Sequence, residues 1–443
     1  MTKLEQVAVE VSRASGVASK DGSAIRSVRW AIAVFFLIGV VLNYVSRNSL
    51  GIVASELQRE LHISTQQYSW VVAAFQSAYT IFQPVCGWFL DVVGLKAGFA
   101  LLALIWSAAC VLHPGVSNWM QLAVLRFCMG SVEAGAGPAQ IKLVTEWFPK
   151  KGRSVALGWA GTGFSAGAML APPLVAGISI YWGWRAAFVV PGVIGIVWAL
   201  IWWRFYAPPA TSGIVSKEER EYILSDQDIA ESTRTRSLWQ AFVHLIRDRK
   251  FYGIALPAFL SEPAWQAMIF WVPLYLTSER GMHLKQIAMF AWLPFLVADI
   301  GHICAGYLAP FFRKRFDLSA VNGAIATSFC GAVLMLSMAA VGFVHSPYVA
   351  ILLISFGGAG HQLISVMLGL LVMEEYTHDE VATVNGFRGS VAWVGGTLFS
   401  LLVGALAGTT GFSPLFICLG FFDLIGVGFM IALLGKRRER RVA

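Results

Sequence analysis

The chain has 443 residues, of which 57% are apolar and 13% charged, and it carries a formal net charge of +8. A soluble globular chain carries about 25% charged residues; half that share, with repeated apolar runs of membrane-spanning length, excludes an ordinary soluble domain and predicts a polytopic membrane protein. The positive charge is therefore read as loop charge on one membrane face and not as a nucleic-acid surface.

Residues 1–28 are expected to form a short cytoplasmic tail. Glu5, Glu10 and Asp21 interrupt its first part, and it lacks the compact apolar core and cleavage site of a signal peptide. Apolar segments then follow at about 29–51, 67–90, 96–115, 118–141, 154–179 and 185–206. After a polar stretch come six more, at about 251–276, 286–311, 317–344, 347–373, 380–408 and 412–434. Helices satisfy their own backbone in lipid, so all twelve are predicted to be helical. The organisation expected is a six-helix domain at 29–206, a partly helical cytoplasmic linker at 207–250, a second six-helix domain at 251–434 and a cytoplasmic tail at 435–443. Most Lys and Arg residues fall in the two tails, the linker and the loops on their side. The opposite loops hold only Arg59, Arg185, Arg280 and Lys285. This asymmetry places both termini in the cytoplasm.

Three arginines lie inside spans: Arg47 in the first, Arg126 in the fourth and Arg388 in the eleventh. The fourth span also carries Glu133 in "VLRFCMGSVEAGAGPAQ". Seven residues separate Arg126 from Glu133, which puts them about two turns apart on one helical face. A charge at the bilayer centre costs about 2.5–3.5 kcal/mol on insertion scales, so these groups need a compensating role. Two guanidiniums facing a water-filled cavity suit a carboxylate ligand, because the planar fork matches two oxygens. The competing reading is structural, with Arg126 neutralised by Glu133 or Asp91. Gly130, Gly135, Gly137 and Pro138 flank Glu133 and allow another helix to bury it. Burial and a nearby arginine act in opposite senses on a carboxyl's proton affinity, which makes Glu133 the candidate proton carrier.

Further polar groups recur within the spans. Tyr44 precedes Arg47 by one turn, and Tyr79 and Gln83 stand at i,i+4 in the second span; their hydroxyl and amide groups suit sugar hydroxyls. In the second half the candidate contacts are Trp265, His361 and Asn385, with Trp393 and Gln362 beside them. Glu262, Asp299 and Arg388 are taken as structural or gating charges, as is Asp423. His302 follows Asp299 at i,i+3. Proline at 263 inside a span frees backbone groups and bends the helix.

The six cysteines show no CxxC spacing and are read as small buried apolar residues. The histidines form no HxxxH or HExxH pair, so no metal site is expected, and no GxxxxGK[ST] loop suggests ATP. No nucleophile–base set points to an enzyme, and with tails this short a signalling domain, and hence a sensor, is not expected.

Between the second and third spans, "GWFLDVVGLKAG" carries Gly87, Asp91, Gly94 and Lys96. With two six-helix halves, it resembles the GxxxDxxGx[RK] signature of the major facilitator superfamily. Asp91 is placed to accept hydrogen bonds from a neighbouring helix end. The second-half counterpart, "GYLAPFFRKR", keeps Gly306 but has Pro310 in place of the acid. "LNYVSRNSL", "TEWFPKKGRSVALGW", "LSEPAWQAMIFWVPLYL" and "EVATVNG" resemble the bacterial hexuronate transporters of the anion:cation symporter branch. The likeness runs from about residue 25 to 435. It implies proton-coupled import of glucuronate or galacturonate through alternating access at the bacterial inner membrane, by a monomer, with no cofactor beyond the coupling proton. It also implies that Arg47 and Arg126 hold the substrate carboxylate, that Glu133 is the coupling acid, and that Tyr44, Tyr79 and Asn385 line the sugar-acid site. The alternative cargo is an aldonate, an aldarate or an aromatic carboxylate. Galactonate-type members have an acid before the first-span arginine; here Ser46 stands there and carries no proton at working pH. One proton per monoanion, and hence nearly electroneutral import, is the resulting expectation, with Glu133 acting alone or assisted by Glu262 or Asp299.

Overall fold

The computed structural model describes residues 28–225, 237–282, 286, 289, 290 and 292–435. The sequence-based expectations for residues 1–27, for the centre of the linker at 226–236, for Lys285 and for the basic "KRRERR" tail fall outside these residues.

The described residues are helical nearly throughout. The first half comprises α1 (Val28–Ile52), α2 (Ala54–Glu60), α3 (Thr65–Val93), α4 (Leu95–Leu112), α5 (Trp119–Glu133), α6 (Ala136–Trp147) and α7 (Arg153–Phe205). The linker contributes α8 (Lys217–Leu224) and α9 (Leu238–Arg247). The second half comprises α10 (Arg249–Gln266), a π-helical turn (Ala267–Trp271), α11 (Val272–Ser278), α12 (Leu293–Phe316), α13 (Ala320–Ala340), α14 (Pro347–Glu375), α15 (Val381–Thr410) and α16 (Ser413–Leu434). Eight of the described helical segments are long and apolar enough to cross a membrane. One of them, α7, turns at Gly183, whose φ of 79° suits glycine, and makes two passes. α3 completes a further pass, and the remaining two are broken helices: α5 with α6, and α10 with α11. Twelve passes result, six on each side of the linker.

The breaks have local causes. α5 ends at Glu133, where Gly135 N–H turns back to the Val132 carbonyl at 3.2 Å. Pro138 then occupies the first turn of α6, where its missing N–H is harmless. In the seventh pass, Pro257 and Pro263 lie inside α10 and the π-turn follows Gln266. Such single π-turns relieve a disturbed hydrogen-bond ladder.

Within the first half α1 packs on α7 and α3 on α5; within the second, α14 packs on α12 and α13. Small residues let the backbones approach: a Cβ on Gly39 would enter the Trp198 ring, and one on Gly167 would meet Tyr44. Large apolar side chains such as Ile81, Phe127, Leu200 and Leu352 are exposed on the outer faces, as a lipid-facing surface requires. Three cysteines depart from expectation: Cys86 and Cys110 are buried and Cys330 is half-buried, but Cys128, Cys304 and Cys418 are exposed on those outer faces. Thiols tolerate a lipid-facing position because they behave as small apolar groups. All six are free.

The halves meet through α3 with α15 and α7 with α12. The named contacts gather toward the end from which the linker emerges. Ser390 Oγ donates to the Thr80 carbonyl, Gly386 abuts the Gln83 backbone and Gly306 abuts Ser154. Arg153 Nη1 donates to the Met373 carbonyl at 3.4 Å. Asp91 holds the largest of these contacts. Its Oδ1 pairs with Lys142 Nζ at 2.8 Å, and its Oδ2 accepts from both the backbone N and the Oγ1 of Thr383 at 2.7 Å. Thr383 lies in the first turn of α15, so Asp91 does accept from a neighbouring helix end, across the two halves. Lys142 was not foreseen as its cation. Lys96, which the motif marks with Asp91 as a structural or gating charge, forms no salt bridge among the described residues; the cation on Asp91 is Lys142.

Candidate functional site

A cavity of about 150 Å³ lies between the halves. Tyr44, Tyr79, Gly137, Gln140 and Phe164 line it from the first half. Glu262, Trp265, His302, His361, Asn385 and Arg388, among others, line it from the second.

Behind Tyr44 and Tyr79 sits a charged triad. The Arg47 guanidinium lies 4.4 Å from the Tyr44 ring centroid and 4.6 Å from that of Tyr79. Its Nε donates to Glu133 Oε2 at 2.9 Å, and its side chain retains 12% exposure. Arg126 lies deeper. Its Nη2 donates to the Arg47 carbonyl at 3.1 Å, Nη1 approaches Met129 Sδ at 3.6 Å, and Phe75 covers it at 4.6 Å. Cation–π contact and ion pairing together offset the burial of these charges.

The triad is incomplete. Arg47 Nη2, Arg126 Nε and Glu133 Oε1 are all buried without a hydrogen-bond partner. Buried polar groups are nearly always satisfied, and unsatisfied ones mark strain, chemistry or a missing ligand. One Arg–carboxylate contact is made where a bidentate pair would use both oxygens. The arrangement therefore keeps donors in reserve for an oxyanion and an oxygen in reserve for a proton.

This geometry revises three expectations. Arg126 and Glu133 share a helix but do not pair; Glu133 takes Arg47 from α1, and Arg126 takes a backbone carbonyl. Nor do both guanidiniums face the cavity: the tyrosine rings stand between it and Arg47, and Phe75 covers Arg126. Gln83 is also absent from the lining. It is buried against Gly389 and Gly137, because α15 offers a glycine where the amide wedges in.

On the opposite wall, Trp265 stacks on His361 with centroids 5.8 Å apart and planes 17° from parallel. His361 Nδ1 lies 3.0 Å from Ser261 Oγ, which fixes the ring. Trp393, beside Tyr79 at 4.7 Å, adds a further aromatic surface. Asn385 Oδ1 accepts from Arg388 Nε at 2.9 Å and so orients that guanidinium. Glu262 and Arg388, read from the sequence as structural or gating charges, both stand in the cavity wall, without a salt bridge between them. Asp299 lies outside the lining, buried, with Oδ1 unpartnered, while His302 one turn further on enters it. Asp423 is buried in α16 and is not among the residues that line the cavity. Gln140 and Phe164 were not anticipated. Gln140 carried a signal, a lone amide seven residues past Glu133 in an apolar run; Phe164 carried none.

Among the described residues, no group of His, Cys, Asp and Glu could hold a metal ion. Two helical halves enclosing a polar cavity at their interface define the architecture of an alternating-access solute carrier. The comparisons with known proteins agree. The chain belongs to the Major Facilitator Superfamily, whose model matches residues 36–338. It is 43% identical to the hexuronate transporter of Escherichia coli (strain K12), over 91% of this chain and 93% of that protein. It is 44% identical to the galacturonate transporter of Dickeya chrysanthemi, over 74% of this chain and 94% of that one. The D-galactonate transporter of Escherichia coli O6:H1 is 30% identical over 92% and 96%. Among solved structures, the transporter FucP in its outward conformation matches with a TM-score of 0.68 at 15% identity, covering 90% of this chain and 97% of that one. The proton:xylose symporter XylE matches with a TM-score of 0.69 at 14% identity, covering 91% and 95%. At these identities the two structures speak to the fold alone.

Proposed function

We propose that this protein imports a hexuronate, glucuronate or galacturonate, by proton symport across a bacterial cytoplasmic membrane, as a monomer with both termini inside. The observation that carries the proposal is the single contact between Arg47 Nε and Glu133 Oε2, set behind the cavity with an unused donor and an unused acceptor. The names of the relatives at 43% and 44% identity support the cargo.

The side chains suggest the sequence of events. While Glu133 is ionised, it holds Arg47 away from the cavity. A proton arriving on Glu133 Oε1 neutralises the carboxylate and releases the Arg47 fork, whose charge is then unbalanced. The substrate carboxylate then takes its place, with Tyr44 and Tyr79 beside it and the sugar ring against Trp265. Substrate and proton thereby become mutually dependent, because at the Arg47–Glu133 pair each balances the charge that the other adds. Rocking of the halves breaks the Asp91–Thr383 contact and opens the linker side. Asp91, Lys142 and the α3–α15 contact act as the gate in this scheme.

Counterflow of labelled glucuronate in proteoliposomes, competed by unlabelled acids, tests the cargo. Glucuronate and galacturonate should compete best. Stronger competition by galactonate or an aromatic carboxylate would replace the hexuronate assignment.

A further inference from the structure

The proposed coupling uses Arg47, Arg126 and Glu133 and leaves two cavity charges without a task. Glu262 and Arg388 both line the cavity, and each is within electrostatic reach of the other. Among the described residues neither belongs to a salt bridge, and Arg388 Nε donates to Asn385 Oδ1 at 2.9 Å. Both side chains line the space proposed for the cargo. A charge pair kept only for stability would close on itself, because separated charges in a low-dielectric interior forfeit their attraction.

A hexuronate has one carboxylate, at C6; its opposite end carries only hydroxyls. An aldarate has a carboxylate at both ends. With the C6 carboxylate at Arg47, behind Tyr44 and Tyr79, the remote end of the molecule meets the wall that holds Glu262 and Arg388. Hydroxyls fit there: they donate to Glu262 and accept from Arg388 without altering the local charge. A second carboxylate meets Glu262 as a like charge, and it gains Arg388 only by competing with Glu262 for it. Like charges brought together on binding cost several kcal/mol, which excludes a ligand more effectively than a missing contact does.

We infer that Glu262 and Arg388 form a charge-balanced subsite that reads the end of the substrate remote from its carboxylate, accepting hydroxyls and rejecting a second carboxylate. This rests on the proposed hexuronate cargo and adds the selection of monoanions over dianions. Asn385 acts through Arg388 as a positioning residue.

The test is competition by galactarate and by galacturonate against labelled galacturonate uptake, read as the ratio of the two inhibition constants. The reconstituted full chain is used, as wild type, Glu262→Gln, Arg388→Gln and the double variant. The ratio, unlike the rate, is not moved by a general loss of folded protein. In the wild type galactarate should be at least about tenfold the weaker inhibitor, the equivalent of 1.4 kcal/mol. Glu262→Gln should remove most of that difference, because Arg388 is then free for the second carboxylate. The double variant should restore the discrimination, and Arg388→Gln alone should sharpen it. A wild type that accepts galactarate as well as galacturonate overturns the inference, as does a Glu262→Gln ratio equal to that of the wild type or a relaxed ratio that persists in the double variant. A wild type that transports no hexuronate refutes the proposed cargo instead.

Discussion

Replacing Glu133 by Gln should uncouple substrate affinity from pH. Glutamine keeps the shape of the side chain and an oxygen that can accept from Arg47 Nε, now at 2.9 Å from the carboxylate. It removes the charge, and so imitates the protonated acid. In the wild type the substrate carboxylate and ionised Glu133 compete for the same guanidinium. On the alkaline side, each pH unit must then weaken binding up to tenfold, about 1.36 kcal/mol. The limb has a floor. Breaking a buried pair costs about 3–5 kcal/mol, so direct displacement of Glu133 takes over after roughly two to four pH units. The dissociation constant for glucuronate, read from substrate-induced tryptophan fluorescence between pH 5.5 and 8.5, should rise steadily in the wild type and stay flat in Glu133→Gln. Counterflow by the variant should persist while gradient-driven accumulation disappears. A variant with the slope of the wild type, or a wild type without one, would refute the competition for Arg47.

Asp91→Asn should loosen the linker-side closure. It weakens one ion pair and two hydrogen bonds to Thr383, and a hydrogen bond to a charged group is worth about 1.5–3 kcal/mol, so the closed-to-open ratio should fall more than tenfold. Spin labels at Val93 and Asp379 should report a longer distance in the variant; an unchanged distance would discard the gate. With serine at position 46 and one coupling proton, substrate addition on a solid-supported membrane should evoke almost no current; an inward positive current would imply a second proton. Outside the membrane, Glu219 of α8 accepts from the backbone of Val28 and Arg29 and from the Arg29 side chain. Burial holds its carboxyl above the usual carboxylate range despite these donors. The folded state then binds the proton more readily than the unfolded one. That contribution to stability is present at low pH and lost as pH rises through the folded value. The melting temperature of Glu219→Gln should therefore vary less between pH 4 and 7 than that of the wild type, and an equal dependence would show that Glu219 has no part in it.

The twelve passes were legible because each is an apolar run bounded by loops, and because helices alone satisfy an isolated backbone in lipid. Most of the polar aromatic and amide groups that line the cavity could also be located, though not Gln140 or Phe164, since a Tyr, Trp, Asn or His inside a span has few other uses. What crosses between helices was not legible. Spacing shows that Arg126 and Glu133 share a face of one helix, but not that the helix ends at Glu133 or that Arg47 reaches across from α1. For the same reason Lys142 looked like one more basic residue at the end of a span, although it is the partner of Asp91. The π-turn at 267–271 and the burial of Gln83 against Gly389 depend on how two backbones meet, and neither leaves a periodic trace. Glu262 and Arg388 were visible as charges out of place; only the absence of a contact between them shows what they are free to do.

Accumulation of labelled glucuronate in proteoliposomes under an imposed proton gradient tests the coupling most directly. With the interior alkaline, uptake should rise above the external concentration and collapse when a protonophore dissipates the gradient. Uptake that only equilibrates, and does so at the same rate with the gradient present or absent, would contradict proton symport.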